Sequence, residues 1–346
     1  VVAGAGAIGA SIAYHLALRG AAGVVLAERG EIAGGATGKA LGGVRQQFSS
    51  APEVRLARES AAFFATLGPA LFRAVGYLFL ATSDRGLAEL EERRAVQVEL
   101  GVPVERIDPA RVPGLAVDDV RGAVFCGEDG VADPRGITLE LVRRAAAAGV
   151  EVLEGADALE LEADVLVLAT GADSAMLGAK LGAALPVRPL VRQLVETGPV
   201  AGLPPDLPLI VEAESGFHFR RRGDALVLAM PEAVPRYGDH EAVAQELVPD
   251  WLGRVARRYP AAAGVAAAHA WAGLYDMTPD AHPIIGLVAP GVFAACGFSG
   301  HGFMQAPAVG RIVADELLEG GSDFDLAPYG LDRFSQGAGA AESAVL

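Results

Sequence analysis

The stretch that decides the fold is Val1-Val2-Ala3-Gly4-Ala5-Gly6-Ala7-Ile8-Gly9, at the start of the printed sequence. Its three leading apolar residues predict the end of a β-strand, and its three glycines follow at the spacing of a dinucleotide-binding turn. Ile8, Ile12 and Leu16 then recur at helical spacing. A glycine-rich turn between a strand and a helix lets backbone N–H groups approach a pyrophosphate closely. These residues therefore predict the first half of a Rossmann-like βαβ unit.

A carboxylate follows this turn at the distance that such a unit requires. A second apolar strand, Val24–Ala27, ends at Glu28, about 20 residues beyond the glycines. A carboxylate at this position binds the hydroxyls of an adenosine ribose and disfavours a 2′-phosphate. NADP is therefore disfavoured, whereas NAD and FAD both satisfy the pattern.

The next segment favours FAD. Residues 34–48 form a long run of small residues that ends in Arg45-Gln46-Gln47-Phe48. Small side chains make sense where an extended cofactor must thread along a loop. Thr37 and the backbone amides could bind phosphate and ribitol oxygens. The alternative is a flexible surface loop without a ligand.

Composition excludes several classes of protein. The 346 residues carry a formal net charge of −15, which disfavours nucleic-acid partners. Mean hydropathy is +0.35, yet no apolar run is long enough to predict a transmembrane segment, and no signal peptide is visible. Cys126 and Cys296 are too few for a disulfide framework, and the six histidines show no ligand spacing, so we predict no metal site. A reducing, cytoplasmic location is the simpler interpretation.

The remaining pattern predicts an α/β (α+β) fold, in which a Rossmann-like domain carries an inserted antiparallel-sheet domain. Helices are expected at 53–68, 86–100 and from about Gln305 to Leu318. Short alternating strands between about 187 and 277 predict the inserted sheet. The predicted nucleotide domain comprises 1–46, 136–172 and 283–334, the predicted substrate domain comprises 47–135 and 173–282, and 335–346 is expected to fray.

Four stretches carry a family resemblance. They are Gly4–Gly9 with Glu28, Gly42–Phe48, Trp271–Asp280 and Gly297–Pro307. With them the sequence resembles the D-amino-acid oxidase superfamily of flavoproteins. Within it, the sequence is similar to the branch of sarcosine and dimethylglycine dehydrogenases, heteromeric sarcosine oxidase β subunits and L-proline dehydrogenase β subunits.

The resemblance implies FAD as cofactor, held non-covalently, because Gly273 stands where related monomeric sarcosine oxidases carry a flavin-linking cysteine. It also implies that the helix after Gly302 directs its positive end toward the flavin. From the fingerprint and the resemblance together, the residues expected to bind FAD are Gly4, Gly6, Ala7, Ile8, Gly9, Glu28, Arg29, Ala36, Thr37, Gly42, Gly43, Val44, Arg45, Ala169, Gly171, Gly273, Gly300, His301, Gly302, Phe303 and Met304.

Arg45, His218 and Tyr275 are the candidate catalytic residues, and the expected substrate pocket contains Phe48, His218, Tyr275 and Met304. Tyr275 and Met304 stand where other members carry carboxylate-binding Arg or Lys. His218 stands where members often carry Tyr, and could be cationic near neutral pH. These differences favour a substrate that depends less on a doubly bound carboxylate.

The predicted function is therefore FAD-dependent oxidation of the C–N bond of proline, sarcosine or a related secondary or tertiary amino acid, by hydride transfer to flavin N5. A dehydrogenase is favoured, because the lysine that helps oxygen react in relatives aligns near Val227. The alternatives are a glycine- or D-amino-acid-type oxidase that releases peroxide, and a flavin-carrying subunit active only in a larger electron-transfer complex. A second subunit or a homo-oligomer is possible.

The stretch 153–163 is shorter than in the family, so either a flap over the adenine is trimmed or residues are absent, and no adenine contact is predicted.

Overall fold

The computed structural model describes residues 1–337 and 341–346, so residues 338–340 of the tail predicted to fray lie outside the described part. The strands are β1 (Val2–Ala3), β2 (Val25–Glu28), β3 (Gly43–Val44), β4 (Phe72–Arg73), β5 (Tyr77–Ala81), β6 (Val104–Arg106), β7 (Gly122–Cys126), β8 (Gly130–Ala132), β9 (Glu151–Glu154), β10 (Leu166–Leu168), β11 (Arg188–Thr197), β12 (Leu209–Glu212), β13 (His218–Arg222), β14 (Ala225–Ala229), β15 (Ala267–Met277), β16 (Ile284–Ala289) and β17 (Val292–Cys296). The α-helices are α1 (Ala7–Leu18), α2 (Ala36–Lys39), α3 (Ala51–Ala65), α4 (Asp84–Glu99), α5 (Pro134–Ala147), α6 (Ser174–Lys180), α7 (Val248–Arg258), α8 (Gly302–Glu319) and α9 (Arg333–Gln336).

A six-stranded sheet forms the nucleotide-binding half, in the order β16-β17-β10-β1-β2-β9. Its pairings are parallel except for the β16–β17 hairpin at one edge. Helix α1 packs against α5 and α8 beside this sheet. The carboxyl ends of β1, β2 and β10 therefore meet at one edge, which is where open α/β sheets bind ligands.

An eight-stranded sheet forms the second half, in the order β15-β11-β14-β13-β12-β5-β7-β6. The predicted fold class is confirmed, with one difference from a purely antiparallel sheet. Strands β5 and β12 pair in parallel because they belong to two separate insertions, which meet side by side at the centre of the sheet. A small sheet of β3, β8 and β4 lies beside them.

Alternation in the strands gives the second sheet two different faces. In β13, Phe219 belongs to a buried cluster with Trp251 of α7, whereas His218 and Arg220 point to the opposite face. That opposite face turns toward the edge of the six-stranded sheet, and His218 lines the space between them. We retain the predicted domain boundaries as a proposal.

Helix ends follow local sequence. Asp133 caps α5 by accepting a hydrogen bond from the Gly136 N–H at 3.0 Å, and Pro134 occupies the first turn, where no donor is needed. Ser83 caps α4 in the same way, through Gly86.

In the part of the chain that the structure describes, no helix has both the length and the apolar character needed to cross a membrane. Within residues 1–337 and 341–346, no three His, Cys, Asp or Glu side chains are grouped so that they could hold a metal ion.

Candidate active site

The glycine-rich turn after β1 depends on glycine at two positions. Gly4 has a φ of 96°, in the left-handed region that strains other residues. A Cβ on Gly9 would lie 1.8 Å from the Gly4 carbonyl oxygen, so only glycine lets α1 start this close to β1. Helix α1 begins after Gly6, which has no side chain to cap it. The amino end of α1 therefore borders the cleft described below.

Two polar side chains are fixed beside this turn. The Glu28 carboxylate accepts hydrogen bonds from the N–H groups of Ala5 and Gly30, each at 2.8 Å. Thr37 Oγ1 accepts one from the Ala7 N–H at 3.0 Å. The carboxylate thus lies at the carboxyl edge of the sheet, from which a Rossmann carboxylate reaches ribose hydroxyls.

A continuous cleft of about 410 Å³ runs from this turn to the amino end of α8. Gly43, Gly273 and Gly300 lie in its wall, and a Cβ on each would come within 3.2 Å of a neighbouring side chain. The predicted site residues that line the cleft are Gly4, Gly6, Ala7, Ile8, Glu28, Arg29, Ala36, Thr37, Gly42, Gly43, Arg45, Ala169, Gly171, His218, Gly273, Tyr275, Gly300, His301, Gly302, Phe303 and Met304. A long space walled by glycine fits an extended dinucleotide better than a compact ligand.

Three predicted site residues lie behind the wall of the cleft. Gly9 supports the turn by its close contact with Gly4. Val44 is buried in the core, and Phe48 is buried beneath Arg45. These three residues contribute to the site through packing.

The stretch 153–163 borders the nucleotide end of the cleft. Strand β9 ends at Glu154, whose Oε1 accepts a hydrogen bond from the Ile32 N–H at 2.8 Å. The residues from Ala156 to Leu159 line the cleft. This stretch therefore forms part of the cleft wall at the nucleotide end, where the sequence analysis predicted no adenine contact.

The turn before α8 packs against Tyr275. Gly300 has a φ of 92°, and a Cβ there would lie 2.2 Å from the Tyr275 ring. The Gly297 N–H donates to Asp276 Oδ2 at 2.8 Å. Burial raises the pKa of Asp276 to about 6, against the lowering effect of backbone hydrogen bonds from this turn. The turn and β15 are thus fixed to each other at the far end of the cleft.

Helix α8 begins at Gly302, three residues before the predicted start at Gln305. The predicted start lies too far along the chain because Gly and Phe are weak helix formers and give little helical signal. Gly302, Phe303 and Met304 line the cleft, so the first turn of α8 directs its positive end into it.

Arg45 is a buried cation with its terminal nitrogens already bound. Nη1 donates to the Gln47 carbonyl and Nη2 to the Ala344 carbonyl, and Nη2 lies 3.4 Å from His301 Nε2. The guanidinium stacks 4.1 Å above the Phe48 ring. Burial lowers the pKa of Arg45 from its very high ordinary value. Arg45 therefore contributes positive electrostatic potential to the cleft, and its terminal nitrogens are not free to bind a ligand.

Asp129 fixes the segment that carries Arg45. Its Oδ1 accepts from the Gln46 N–H at 2.9 Å, and its Oδ2 accepts from Gln47 Nε2 at 3.0 Å. Burial raises the pKa of Asp129 to about 6, although these amide donors oppose the shift. The sequence analysis missed this residue because its partners are more than 80 positions away.

His218 is neutral, so the cationic form considered from the sequence is wrong near pH 7. Burial, together with the charges of Arg45 and Arg192, lowers its pKa to about 4, against the raising effect of the hydrogen bond to the Gly216 carbonyl. Its Nδ1 lies 2.8 Å from the Gly216 carbonyl, which can only accept, so Nδ1 carries the proton. Nε2 is left as an acceptor. Burial also raises the pKa of Tyr275, which keeps its phenol protonated.

Two basic residues of the cleft were missed by the sequence analysis. Arg192 lies on β11 opposite Gly273 of β15, and its guanidinium is 5.6 Å from the Tyr275 ring. Lys39 lines the cleft, pairs with Glu241 and lies against Gly273. The sequence did contain a signal for Arg192. It is a charged residue that shares one face of a strand with Leu190 and Leu194, two positions away on either side.

The tail predicted to fray, 335–346, is ordered over its last described residues. Glu342 is 3 % exposed, and its carboxylate accepts hydrogen bonds from the N–H groups of Ser49 and Ser50. Leu346 lines the cleft. The tail docks there because Ser49 and Ser50 precede α3, whose amino end attracts a carboxylate.

Comparison with known proteins adds independent findings. The sequence model of the family DAO, described as "FAD dependent oxidoreductase", matches residues 1–316. The chain is 28 % identical to glycine oxidase of Geobacillus kaustophilus (strain HTA426), over 96 % of this chain and 96 % of that protein. It is 25 % identical to human mitochondrial sarcosine dehydrogenase, over 96 % of this chain and 41 % of that protein.

A solved structure is similar along the whole chain. L-proline dehydrogenase from P. horikoshii superposes with a TM-score of 0.88 and 26 % sequence identity, covering 97 % of each chain.

Proposed function

The chain belongs to the DAO family of FAD-dependent oxidoreductases, and on that premise we propose that it oxidises the C–N bond of a secondary or tertiary amino acid such as proline or sarcosine. The family predicted from the motifs is thereby confirmed. One observation carries the proposal: the cleft joins the turn at Gly4–Gly9 to a pocket lined by Arg45, His218 and Tyr275. When bound, FAD supplies the acceptor for a hydride that leaves the carbon beside nitrogen. Water then hydrolyses the imine product.

The residues present fit this cofactor. We assign the pyrophosphate to the turn at Gly4–Gly9 and the amino end of α1, and the ribose hydroxyls to Glu28. The amino end of α8 would stabilise negative charge at the other end of the cleft. Gly43 and Gly273 lie in the intervening wall, where their lack of a side chain lets Tyr77 and Lys39 pack closely against the backbone.

We propose that FAD is held non-covalently. Gly273 has no atom that could form a link, and the thiols of Cys126 and Cys296 are free and buried. Among the described residues, neither cysteine lines the cleft. Acid precipitation should therefore leave a colourless protein pellet and a yellow supernatant, whereas a yellow pellet would refute this point. The two free thiols also support a reducing compartment such as the cytoplasm.

The pocket favours the reactive form of an amine. Only the uncharged amine has the lone pair that assists hydride loss. Two cations, Arg45 and Arg192, disfavour an ammonium group beside them. His218 is neutral with Nε2 as acceptor, and Tyr275 is a neutral phenol, so both can orient the amine without adding charge.

A dehydrogenase is supported by the positions and pairing of the residues that could take the role of an oxygen-assisting lysine. The position of the oxygen-assisting lysine of relatives falls near Val227, which is buried in β14. Lys39 does line the cleft, but its ammonium is paired with Glu241. A neutralised lysine offers less stabilisation to a developing superoxide anion.

An oxidase is the second candidate, favoured by the presence of Lys39 in the cleft and by the similarity to glycine oxidase. Peroxide release in air without an added acceptor distinguishes it. A Lys39→Met variant should then lose peroxide production, whereas a dehydrogenase that uses a dye acceptor should keep its turnover.

The test of the proposed function is reductive titration of the purified protein under nitrogen. L-Proline, sarcosine and dimethylglycine should bleach the visible flavin band, and a dye acceptor should restore it. Glycine and D-alanine test the oxidase alternative. The proposal fails if none of the secondary or tertiary amino acids bleaches the flavin.

A further inference from the structure

Resting on the proposed function, we infer that Arg192 binds the carboxylate of the amino-acid substrate. Arg192 lies in the middle of β11, where its register partner on β15 is Gly273. Because register partners share a face of the sheet, Arg192 lies on the face where the aliphatic part of Lys39 packs against Gly273. Arg192 lines the same end of the cleft as Tyr275 and His218.

The guanidinium of Arg192 is partly unsatisfied. Its Nε and Nη1 are buried and have no hydrogen-bond partner among residues 1–337 and 341–346. The guanidinium carbon lies 5.6 Å from the centre of the Tyr275 ring. Arg45 differs, because its terminal nitrogens are bound to two carbonyls. Buried N–H donors without a partner are costly, so Nε and Nη1 of this half-buried arginine fit an anion that enters the cleft.

The acidic side chains of the cleft have other partners. Glu28 accepts from two backbone N–H groups, and Asp276 accepts from the Gly297 N–H. Glu241 is paired with Lys39. The anion for Arg192 is therefore supplied by a ligand rather than by these carboxylates of the protein.

A carboxylate is the anion that suits this geometry. Nη2 forms a pair of parallel N–H donors with Nε on one edge of the guanidinium and with Nη1 on another, and each pair matches the two oxygens of a carboxylate. The sequence suggested that carboxylate binding was weakened, because Tyr275 and Met304 replace basic residues. Arg192 supplies the missing charge from a different strand, so the substrate class is an amino acid that retains its carboxylate.

The test compares Arg192→Gln with Arg188→Gln in the FAD-loaded protein. Arg188 is an exposed arginine on the same strand, stacked on Tyr237 outside the cleft. Tetrahydrofuran-2-carboxylate, a proline analogue with oxygen in place of N–H, is titrated through its effect on the flavin spectrum. Arg192→Gln should raise its dissociation constant by about 10- to 100-fold, and Arg188→Gln should leave it unchanged. Arg192→Lys keeps the positive charge without the paired donors, so its dissociation constant for the analogue should lie between those of the other two variants.

A kinetic measurement separates carboxylate binding from other roles. Arg192→Gln should raise KM for L-proline with little change in KM for pyrrolidine, which lacks the carboxylate. Equal affinity of wild type and Arg192→Gln for the analogue would overturn the inference. Loss of FAD or of folding in both Arg192→Gln and Arg192→Lys would also overturn it, and would assign the guanidinium to the cofactor or to the fold. If the wild type binds the analogue but no amino acid bleaches its flavin, the proposed function fails while the anion site stands.

Discussion

His218 illustrates how position changes the chemistry of a single residue. The sequence places a histidine on a strand, and its ordinary pKa is close to neutral. Its position between two sheets, near Arg45 and Arg192, lowers the pKa to about 4. The bond from Nδ1 to the Gly216 carbonyl then selects the tautomer with Nε2 as acceptor. Burial has thus converted a titratable group into a fixed acceptor.

This assignment predicts the behaviour of His218→Asn. The Asn amide can still donate to the Gly216 carbonyl, but the Nε2 acceptor is lost, so kcat/KM should fall about tenfold. Because His218 is uncharged throughout, the kcat/KM profiles of variant and wild type should run parallel from about pH 5 to 8. Steady-state kinetics over this range checks the prediction, with exposed His240→Asn as control. An ionisation near pH 6.5 that vanishes in His218→Asn would contradict it.

The same shift predicts how stability depends on pH. The folded pKa of about 4 lies below the ordinary value of 6.5, so between these values only the unfolded chain takes up the proton. Wild type should therefore lose stability relative to His218→Asn as the pH falls from 6.5 to 4. Urea unfolding of both proteins at several pH values measures the difference in stability, which should no longer change with pH above pH 7.

At the scale of elements, the position of helix α1 depends on how closely its backbone approaches the turn after β1. The close contact between Gly9 and the Gly4 carbonyl sets where α1 starts, and therefore where its amino end lies. The glycine spacing alone was a weak signal, and the turn could be predicted because a strand precedes it, a helical pattern follows it and Glu28 ends the next strand.

Gly9→Ala should therefore disrupt the nucleotide end of the cleft. The added Cβ would meet backbone rather than a flexible side chain, so we expect destabilisation of more than about 3 kcal/mol and little retained FAD. Gly321→Ala is the matched control, since a Cβ there meets no atom within 4 Å. The ratio of flavin to protein absorbance and the unfolding free energy measure the effect. Equal FAD content in the two variants would refute it.

The docked tail is an element that the sequence did not predict. Its composition of Gly, Ala and Ser resembles a disordered end, and the partners Ser49 and Ser50 are almost 300 positions away. The signal is one acidic residue, Glu342, opposite the amino end of α3. A contact of this kind is set by the tertiary structure and leaves no periodic pattern.

Glu342→Gln should detach this tail in part. Burial alone would raise the pKa of Glu342, but the hydrogen bonds from Ser49 and Ala344 and the charge of Arg45 lower it overall. Its stabilisation is therefore present above the ordinary value of 4.5 and is lost as the pH falls through the lowered pKa. We expect a loss of about 1–2 kcal/mol at pH 7, measured by urea unfolding, and a smaller difference near pH 4. Exposed Glu92→Gln should change little at either pH.

At the scale of the whole molecule, the predictable and unpredictable parts have different physical origins. Strands, helices and the nucleotide turn follow from local patterns, so the α/β fold and the residues from Gly4 to Glu28 could be predicted. The pocket around Tyr275 is assembled by long-range pairing. The role of Arg192 follows from which residues face it across that space, and the role of Asp129 follows from amide partners more than 80 positions away. The parallel pairing of β5 with β12 likewise depends on two insertions that meet only in the folded chain.

The two ends of the cleft belong to different parts of the chain. We therefore expect the cofactor to stabilise the whole molecule. A cofactor that contacts both the turn at Gly4–Gly9 and the amino end of α8 stabilises only the folded state. With free FAD at about 1,000 times its dissociation constant, the protein should gain about 4 kcal/mol over the apoprotein. Tm measurements on the apoprotein with increasing FAD test this gain, and FMN is the control. FMN lacks the adenosine half, so it should stabilise less at equal concentration. Equal shifts with FMN and FAD would show that the turn and Glu28 do not hold the adenosine end.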